Sequence, residues 1–352
     1  MRISRIVITV LILALALGVA VNLTSQTASA QSPKLDEIRA RGQLNCGVGG
    51  SLPGFSNPNP DTGRMEGMDA DYCRALAVAI FGADYTEDSV VFIPLTADVR
   101  FTALQSNQVD VLIRNTTWTL TRDITLGGDF APTIFYDGQG LLVRVADGYT
   151  SLADMEGVTI CTTSGTTTEK NITDAYRAQF GADPTLAFAE GPTENLADFE
   201  AGVCDVMTSD KSQLAGLRSV ASDPSSLAIL PDTLSKEPLG PMYLSGDPVF
   251  ADVVNWTVYA TFQAEELGIT SANVDEMMSS EDIQVQRFLG LTEDNFGAAL
   301  GLSNSFAADI IRTVGNYGEI YERNITPIGV PREGSLNALW RNGGLIYSPA
   351  WR

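Results

Sequence analysis

The sequence predicts an α/β protein of two lobes, each a parallel or mixed sheet flanked by helices, with a two-strand hinge between them and a helical C-terminal extension on the first lobe. Short apolar runs of strand type alternate with segments of helical period along residues 44–113 and again along 158–231, the pattern of right-handed βαβ units. Two extended glycine-containing runs, FYDGQGLLVRV at 135–145 and SKEPLGPMYLSGD at 235–247, flank the second series, as if the chain left one lobe and returned to it. Three strand runs also end in polar clusters: 109–123 (VDVLIRNTTWTLTRD), 159–165 (TICTTSG) and 205–210 (DVMTSD). In open α/β folds, ligands bind at the carboxyl ends of strands.

Residues 1–30 are expected to stand outside the fold as a signal peptide. Arg2 and Arg5 precede an apolar run from Ile6 to Val21, and Ala28-Ser29-Ala30 supplies a small-x-small site, so cleavage after Ala30 would leave Gln31 at the mature N-terminus. The alternative is an uncleaved anchor, but the run of ~16 apolar residues falls short of the roughly 20 that a spanning helix needs. The lobes are then expected at 31–140 (first lobe), 141–240 (second lobe) and 241–352 (return to the first lobe and helical extension).

In order, a short amphipathic helix at 34–41 precedes a strand at 44–48 and a Gly/Pro-rich loop, GGSLPGFSNPNPDTG. The stretch MEGMDAD (65–71) leads into a helix with Tyr72, Leu76, Ala79 and Ile80 on one face and Asp69 as expected N-cap. A strand at 90–95, a helix at 98–106 and a strand at 109–113 complete the first series. The second has strands at 158–161, 185–189 and 204–208 and helices at 166–180, 193–201 and from Lys211, and it closes near 226–231. Asp247-Pro248 is an N-cap and N1 pair opening a long helix that turns Phe250, Val253, Val254 and Ala260 inward. Shorter helices are expected at 274–278, 283–289 and 306–323. The Gly/Pro-rich end, 324–352, is expected to wrap the first lobe.

Composition removes several function classes. Asp plus Glu number 43 against 22 Lys plus Arg, and loss of the leader takes the net charge from −21 to −23, which argues against nucleic acid or anionic lipid as partner. There is no histidine, which excludes Ser-His-Asp and Cys-His catalysis and His-ligated zinc. No phosphate-binding loop or dinucleotide fingerprint occurs, so no cofactor is expected. Cys46, Cys73, Cys161 and Cys204 suggest two disulfides in an exported chain, and four cysteines allow three connectivities. Sequence proximity and lobe membership favour Cys46–Cys73 and Cys161–Cys204, because either other pairing would cross-link lobes expected to move. Free buried thiols are the alternative.

The polar strand ends suit a small zwitterion. A carboxylate buried in a cleft wants a bidentate arginine and N–H groups at a helix start, and an ammonium wants a carboxylate. Arg122, the turn Ser164-Gly165-Thr166-Thr167 and Asp210 supply that set. Blander roles exist for each: Arg122 pairing with Asp123, Asp210 capping the helix at Lys211, and the threonines serving as caps and turn formers.

The motifs CGVGGSLPGF, GMDADYCRAL, RFTALQSNQVDVLIRNTTWTLTRD, YDGQGLLVR, SGTTTE, AGVCDVMTSD, SKEPLGP, VGNYGEIYERN and LNALWRNGG resemble the periplasmic amino-acid-binding proteins of ABC importers, in their general L-amino-acid-binding branch. The resemblance spans the mature chain. It implies a type II periplasmic-binding-protein fold, a periplasmic monomer, L-amino acids as ligands and the membrane permease subunits of an ABC transporter as partners. Carried over residue by residue, it implies Arg122 as the carboxylate-binding arginine, Arg114, Asn115 and Thr117 as strand-end contacts, Thr166 and Thr167 as helix-start contacts and Asp210 as the ammonium-binding acid. Leu52 replaces the aromatic that smaller relatives carry in the first loop, and Arg114 stands where a small residue is usual. The competing readings are an enzyme on the same fold, a dehydratase or lyase with a base such as Glu169, and a receptor for organic anions without an amine.

Overall fold

A computed structural model describes residues 32–352; the expected signal peptide and its cleavage after Ala30 lie outside the described residues. The first passage of the chain gives β1 (Leu44–Val48), the short hairpin β2 (Asn57–Pro58) and β3 (Met65–Glu66), β4 (Val90–Pro94), β5 (Val111–Leu112) and β6 (Gly128–Phe130). The chain then crosses through β7 (Phe135–Asp137) into β8 (Gln139–Arg144), β9 (Thr159–Thr163), β10 (Thr185–Ala189), β11 (Val206–Asp210) and β12 (Leu227–Ile229). It returns through β13 (Glu237–Leu239) and β14 (Met242–Leu244).

These strands form two five-stranded sheets, ordered β4-β1-β5-β14-β6 and β10-β9-β11-β8-β12. The helix-connected strands run parallel, with Leu44 opposite Val90 and Thr185 opposite Thr159. Strands that reach a sheet from the crossing have no crossover helix to reverse them. So β8 lies antiparallel to β11, and β14 antiparallel to β5 and β6. Between the sheets, β7 and β13 pair antiparallel, with Glu237 directly opposite Asp137. The polar stretch after β5 joins this ladder: the Trp118 N–H donates to the Pro238 carbonyl at 2.8 Å and the Gly240 N–H to the Thr116 carbonyl at 3.1 Å.

In the second lobe, Leu141 and Val143 pack on one sheet face with Ile160 and Ile172, and Leu142 on the other with Met207 and Leu214. That is the period-2 alternation of a strand covered on both faces. In the first lobe, helix Met68–Phe81 is buried from Met68 to Ile80 because it packs on β1 and β4 and against helices Pro248–Glu266 and Phe306–Thr313. From Ala75 to Ile80 its residues are apolar on every side, which fits that position, and its buried charges, Asp69, Asp71 and Arg74, stand in the first two turns. The disulfides Cys46–Cys73 and Cys161–Cys204 tie β1 to this helix and β9 to the residue pair before β11, each within one lobe.

Several local expectations are corrected. Gly67, not Asp69, is the N-cap of helix Met68–Phe81, and Asp69 turns inward in its first turn. The helix expected at 306–323 is two, Phe306–Thr313 and Tyr317–Asn324. Gly315 takes φ +98° between them, and Asn316 and Glu319 form a capping box that starts the second. A helix not foreseen, Leu120–Thr125, starts at Thr119, whose hydroxyl accepts the Arg122 N–H at 3.2 Å. Asp247 caps Pro248–Glu266 as expected, accepting the Phe250 N–H at 2.9 Å.

The C-terminal stretch wraps the first lobe. Trp351 meets the rings of Trp256, Phe288 and Phe306 at 5.0–5.8 Å between centroids, and Arg332 grips Glu265 through two bonds of 2.6 and 2.8 Å. Asn337 brackets the backbone of Tyr136 in the crossing strand β7, at 2.7 and 3.0 Å. No described helix is long and apolar enough to cross a membrane.

Candidate functional site

The ends of β5, β9 and β11 open on one cavity between the lobes. It is lined by Arg114, Asn115, Thr117, Arg122, Thr166, Thr167 and Asp210, so seven of the residues singled out in the sequence meet there. Leu52 is not among the lining residues; it is buried in the first-lobe core, bridged to Ser56.

Beyond β5 the chain turns sharply at Asn115, which has φ +33°. That conformation is uncommon for a residue with a side chain, and it is held by Asp69, whose carboxylate accepts the Asn115 N–H at 3.0 Å. Burial pushes the Asp69 carboxyl up to about 7, against the pull of that bond and of Arg114. Arg114 donates from Nε to the Leu95 carbonyl at 2.8 Å. Burial lowers its pKa to about 10, partly offset by Asp69. Within the cavity lining, the Asn115 amide donates to Gln213 Oε1 at 3.2 Å, joining the two lobes.

Arg122 is buried. It donates from Nη1 to the Thr117 carbonyl at 2.8 Å and lies 5.1 Å from the Phe101 ring centroid. It makes no ion pair among the described residues, with Asp123 or any other acid. Burial lowers its pKa, while Glu237 and Asp210 oppose the shift.

Asp210 stands at the N-cap position of helix Lys211–Ser219 without making a side-chain cap. The cap comes from the crossing strand instead: Asp137 accepts the Ser212 N–H at 3.1 Å and also the Ser212 hydroxyl. Asp210 is thereby released toward the cavity. It is 5% exposed, and its Oδ1 has no hydrogen-bond partner among the described residues. Burial, with Asp137 and Glu237 nearby, raises its carboxyl well above the usual range, while Arg122 and Arg100 pull it down.

The third wall is the turn before helix Thr167–Phe180. Thr166 is its N-cap, accepting the Glu169 N–H at 3.1 Å and donating to the Thr163 carbonyl at 2.6 Å, so its hydroxyl does the capping work foreseen as its blander role. Gly165 has φ +71°, and a Cβ there would fall 2.6 Å from Asp98 in the opposite lobe. Thr167 and Thr117 both donate to Glu237, at 3.0 and 2.6 Å. Asn171 and Ser235 complete the set around that buried carboxylate.

Lining residues that escaped the sequence reading include Gln213 and Arg100, with Ala97 and Pro192 beside them. Gln213 follows Asp210 by less than a helical turn and carries no signal of its own. Arg100 does: it shares a helix face with Ala103 and Leu104, both buried, so a charge falls on an apolar face.

The sequence profile of the bacterial extracellular solute-binding proteins, family 3, matches residues 44–323. The general L-amino acid-binding periplasmic protein AapJ of Rhizobium johnstonii is 45% identical over 345 residues, 97% of this chain and 99% of that protein. The glutamate/glutamine/aspartate/asparagine-binding protein BztA of Rhodobacter capsulatus is 43% identical over 328 residues, 92% and 95% of the two chains. An ABC transporter periplasmic binding protein from Brucella ovis, solved with glutathione bound, superposes with TM-score 0.86 at 45% identity over 92% of this chain and all of that one. Two mixed sheets, an interlobe crossing and a helical C-terminal region accord with this likeness over nearly the full length, and the chain belongs to the bacterial extracellular solute-binding proteins, family 3.

Proposed function

We propose that this protein is a periplasmic receptor that closes on L-amino acids and delivers them to the permease of an ABC importer. One observation carries the reading: one interlobe cavity holds a buried guanidinium, Arg122, and a buried carboxylate, Asp210, and among the described residues the first has no anionic partner and the second an unpartnered oxygen. An α-carboxylate and an α-ammonium would satisfy both at once. Arg114, Asn115, Thr117, Thr166 and Thr167 line the remainder as contacts, and the lobes, 31–140 with 241–352 and 141–240, close about β7 and β13. Export with cleavage after Ala30 and action as a monomer belong to the same proposal. Support comes from relatives named as amino-acid-binding proteins and, in Escherichia coli, as a putative amino-acid ABC transporter-binding protein, 41% identical over 90% of this chain. Against the enzyme reading, Glu169, the carboxylate considered as a base, accepts the Gly165 N–H at 2.8 Å and is not among the lining residues.

Calorimetric titration with L-amino acids, their decarboxylated amines and their oxo acids tests this. Intact amino acids should bind and be recovered unchanged, and the controls should bind weakly. Arg122→Ala leaves a carboxylate unpaired; losing one partner of such a pair costs about 2–5 kcal/mol, an affinity loss of roughly 30- to 4,000-fold for small, apolar and acidic ligands alike. Arg122→Lys should recover little, lacking the bidentate fork. Binding by Arg122→Ala within about threefold of wild type, ~0.6 kcal/mol, would remove this residue from the carboxylate site.

A further inference from the structure

Helix Lys211–Ser219 starts at Asp210 and carries Gln213, both at the cavity wall. In its middle stands Gly216, which is buried but is not among the lining residues. Glycine inside a helix is less favourable than alanine, so its place there asks for a reason. Outside its own helix, the three atoms nearest to where a Cβ would stand all belong to Pro53 of the first lobe: the carbonyl oxygen at 2.7 Å, and the carbonyl carbon and Cβ at 3.6 Å. Main-chain atoms cannot rotate aside as a long side chain does, so a larger residue would hold the helix off the first lobe. The loop that presents Pro53, residues 52–55, is backed in turn by the C-terminal region. Ile328 is buried, and its Cδ1 stands 2.8 Å from where a Cβ on Gly54 would lie. The same turn, Thr326–Ile328, lies against helix Lys211–Ser219, and the Arg218 guanidinium reaches toward Gly329. This turn falls past residue 323, where the match to the family profile ends. A stretch expected only to wrap the first lobe thus touches the second as well.

We infer that Gly216 is a positioning residue: it lets helix Lys211–Ser219 settle on a seat formed by the loop 52–55 and the C-terminal turn behind it, and the seated helix brings Asp210 and Gln213 to the ligand. This rests on the receptor reading above. The seat gives the first loop a task other than ligand contact, in keeping with Leu52 lying in the core and not in the cavity lining. Gln213 marks the seated position, because its Oε1 meets the Asn115 amide of the first lobe. Once the lobes part, Pro53 withdraws from Gly216, so a side chain there obstructs closure alone. It lowers the fraction of closed molecules, and apparent affinity falls by that fraction whatever the ligand.

The test is calorimetric titration of Gly216→Ala and Gly216→Leu with a small, an apolar and an acidic amino acid, paired with thermal denaturation of the ligand-free proteins. Gly216→Ala should weaken all three ligands by one common factor of more than about threefold, and Gly216→Leu by a larger one. Without ligand, Gly216→Ala should melt no lower than wild type, since alanine favours the helix. A glycine needed only for packing within the second lobe would give the opposite result, lost stability. Ile328→Ala loosens the loop from behind without touching the cavity, and it should lower affinity by a common factor smaller than that of Gly216→Leu. Binding by either Gly216 variant within about threefold of wild type, a loss confined to one ligand class, or a ligand-free Gly216→Ala that melts below wild type would each overturn the assignment. Unchanged affinity in Ile328→Ala would remove the C-terminal turn from the seat. Failure of every amino acid to bind wild type would instead overturn the receptor reading on which the inference stands.

Discussion

Asp69 is a helix residue whose main bond is made outside its helix, to the Asn115 N–H, and that bond holds the turn from which Arg114 and Asn115 enter the cavity. Burial pushes its carboxyl up to about 7, from an ordinary 3.8. A folded-state pKa above the unfolded one means that the native state binds the proton more tightly, so stability is greatest at the acid end of that interval and is lost as pH rises through about 7. The slope is at most about 1.4 kcal/mol per pH unit for one group. Asp137, pushed up to about 6, and Asp210, also raised, act in the same direction. Urea denaturation of the ligand-free protein should therefore show lower stability at pH 8 than at pH 5.5, by on the order of 2 kcal/mol from Asp69 alone. Asp69→Asn retains an acceptor oxygen and should flatten the profile. A level wild-type profile, or an unchanged slope in the variant, would mean that Asp69 does not titrate as its burial demands.

At the scale of the element, helix Lys211–Ser219 borrows its cap. Asp137 on the crossing strand accepts the Ser212 N–H, and the residue in the cap position, Asp210, is left free for the cavity. The two acids should separate in measurement: Asp137→Ala should cost about 1–2 kcal/mol of folding stability, the usual worth of a cap, whereas Asp210→Ala should cost little stability and most of the amino-acid affinity. If denaturation and titration ranked them the other way, Asp210 would be the structural residue. This division could not be read from local sequence, where an acid before a helix is a cap by default. Strands 44–48 and 185–189 and the Asp247-Pro248 helix start were legible because their signals are local: short apolar runs and a cap with proline behind it. Arg122, Asp210 and the threonines were legible as polar endings on buried strands. What local pattern missed was decided by distant partners. Asp69 turns toward a segment 46 residues away, and Arg100, a charge on an apolar helix face, lines a cavity whose other walls come from distant segments; the break in the 306–323 run is the exception, because the Asn316–Glu319 capping box that makes it is local.

For the whole molecule, the crossing is also where the two lobes are fastened together. Glu237, in β13, accepts from Thr117 on the first lobe and from Thr167 and Asn171 at the start of a second-lobe helix, with Ser235 beside it. A carboxylate so surrounded is satisfied only while both lobes are drawn in, and the donors flanking it, Thr117 and Thr167, also line the cavity. The disulfides lie within single lobes and leave the crossing unrestrained. Ligand-free protein should therefore sample an open form, and small-angle scattering should show a smaller radius of gyration with saturating amino acid. Glu237→Ala leaves the threonine hydroxyls and the Asn171 amide without their acceptor and should shift the ligand-free population toward the open form. Because apparent affinity falls in proportion to the fraction of competent, closed molecules, the variant should weaken acidic, amide and apolar ligands by one common factor. A radius of gyration that ligand leaves unchanged would exclude closure about β7 and β13, and a Glu237→Ala loss confined to one ligand class would place Glu237 in side-chain recognition rather than in closure.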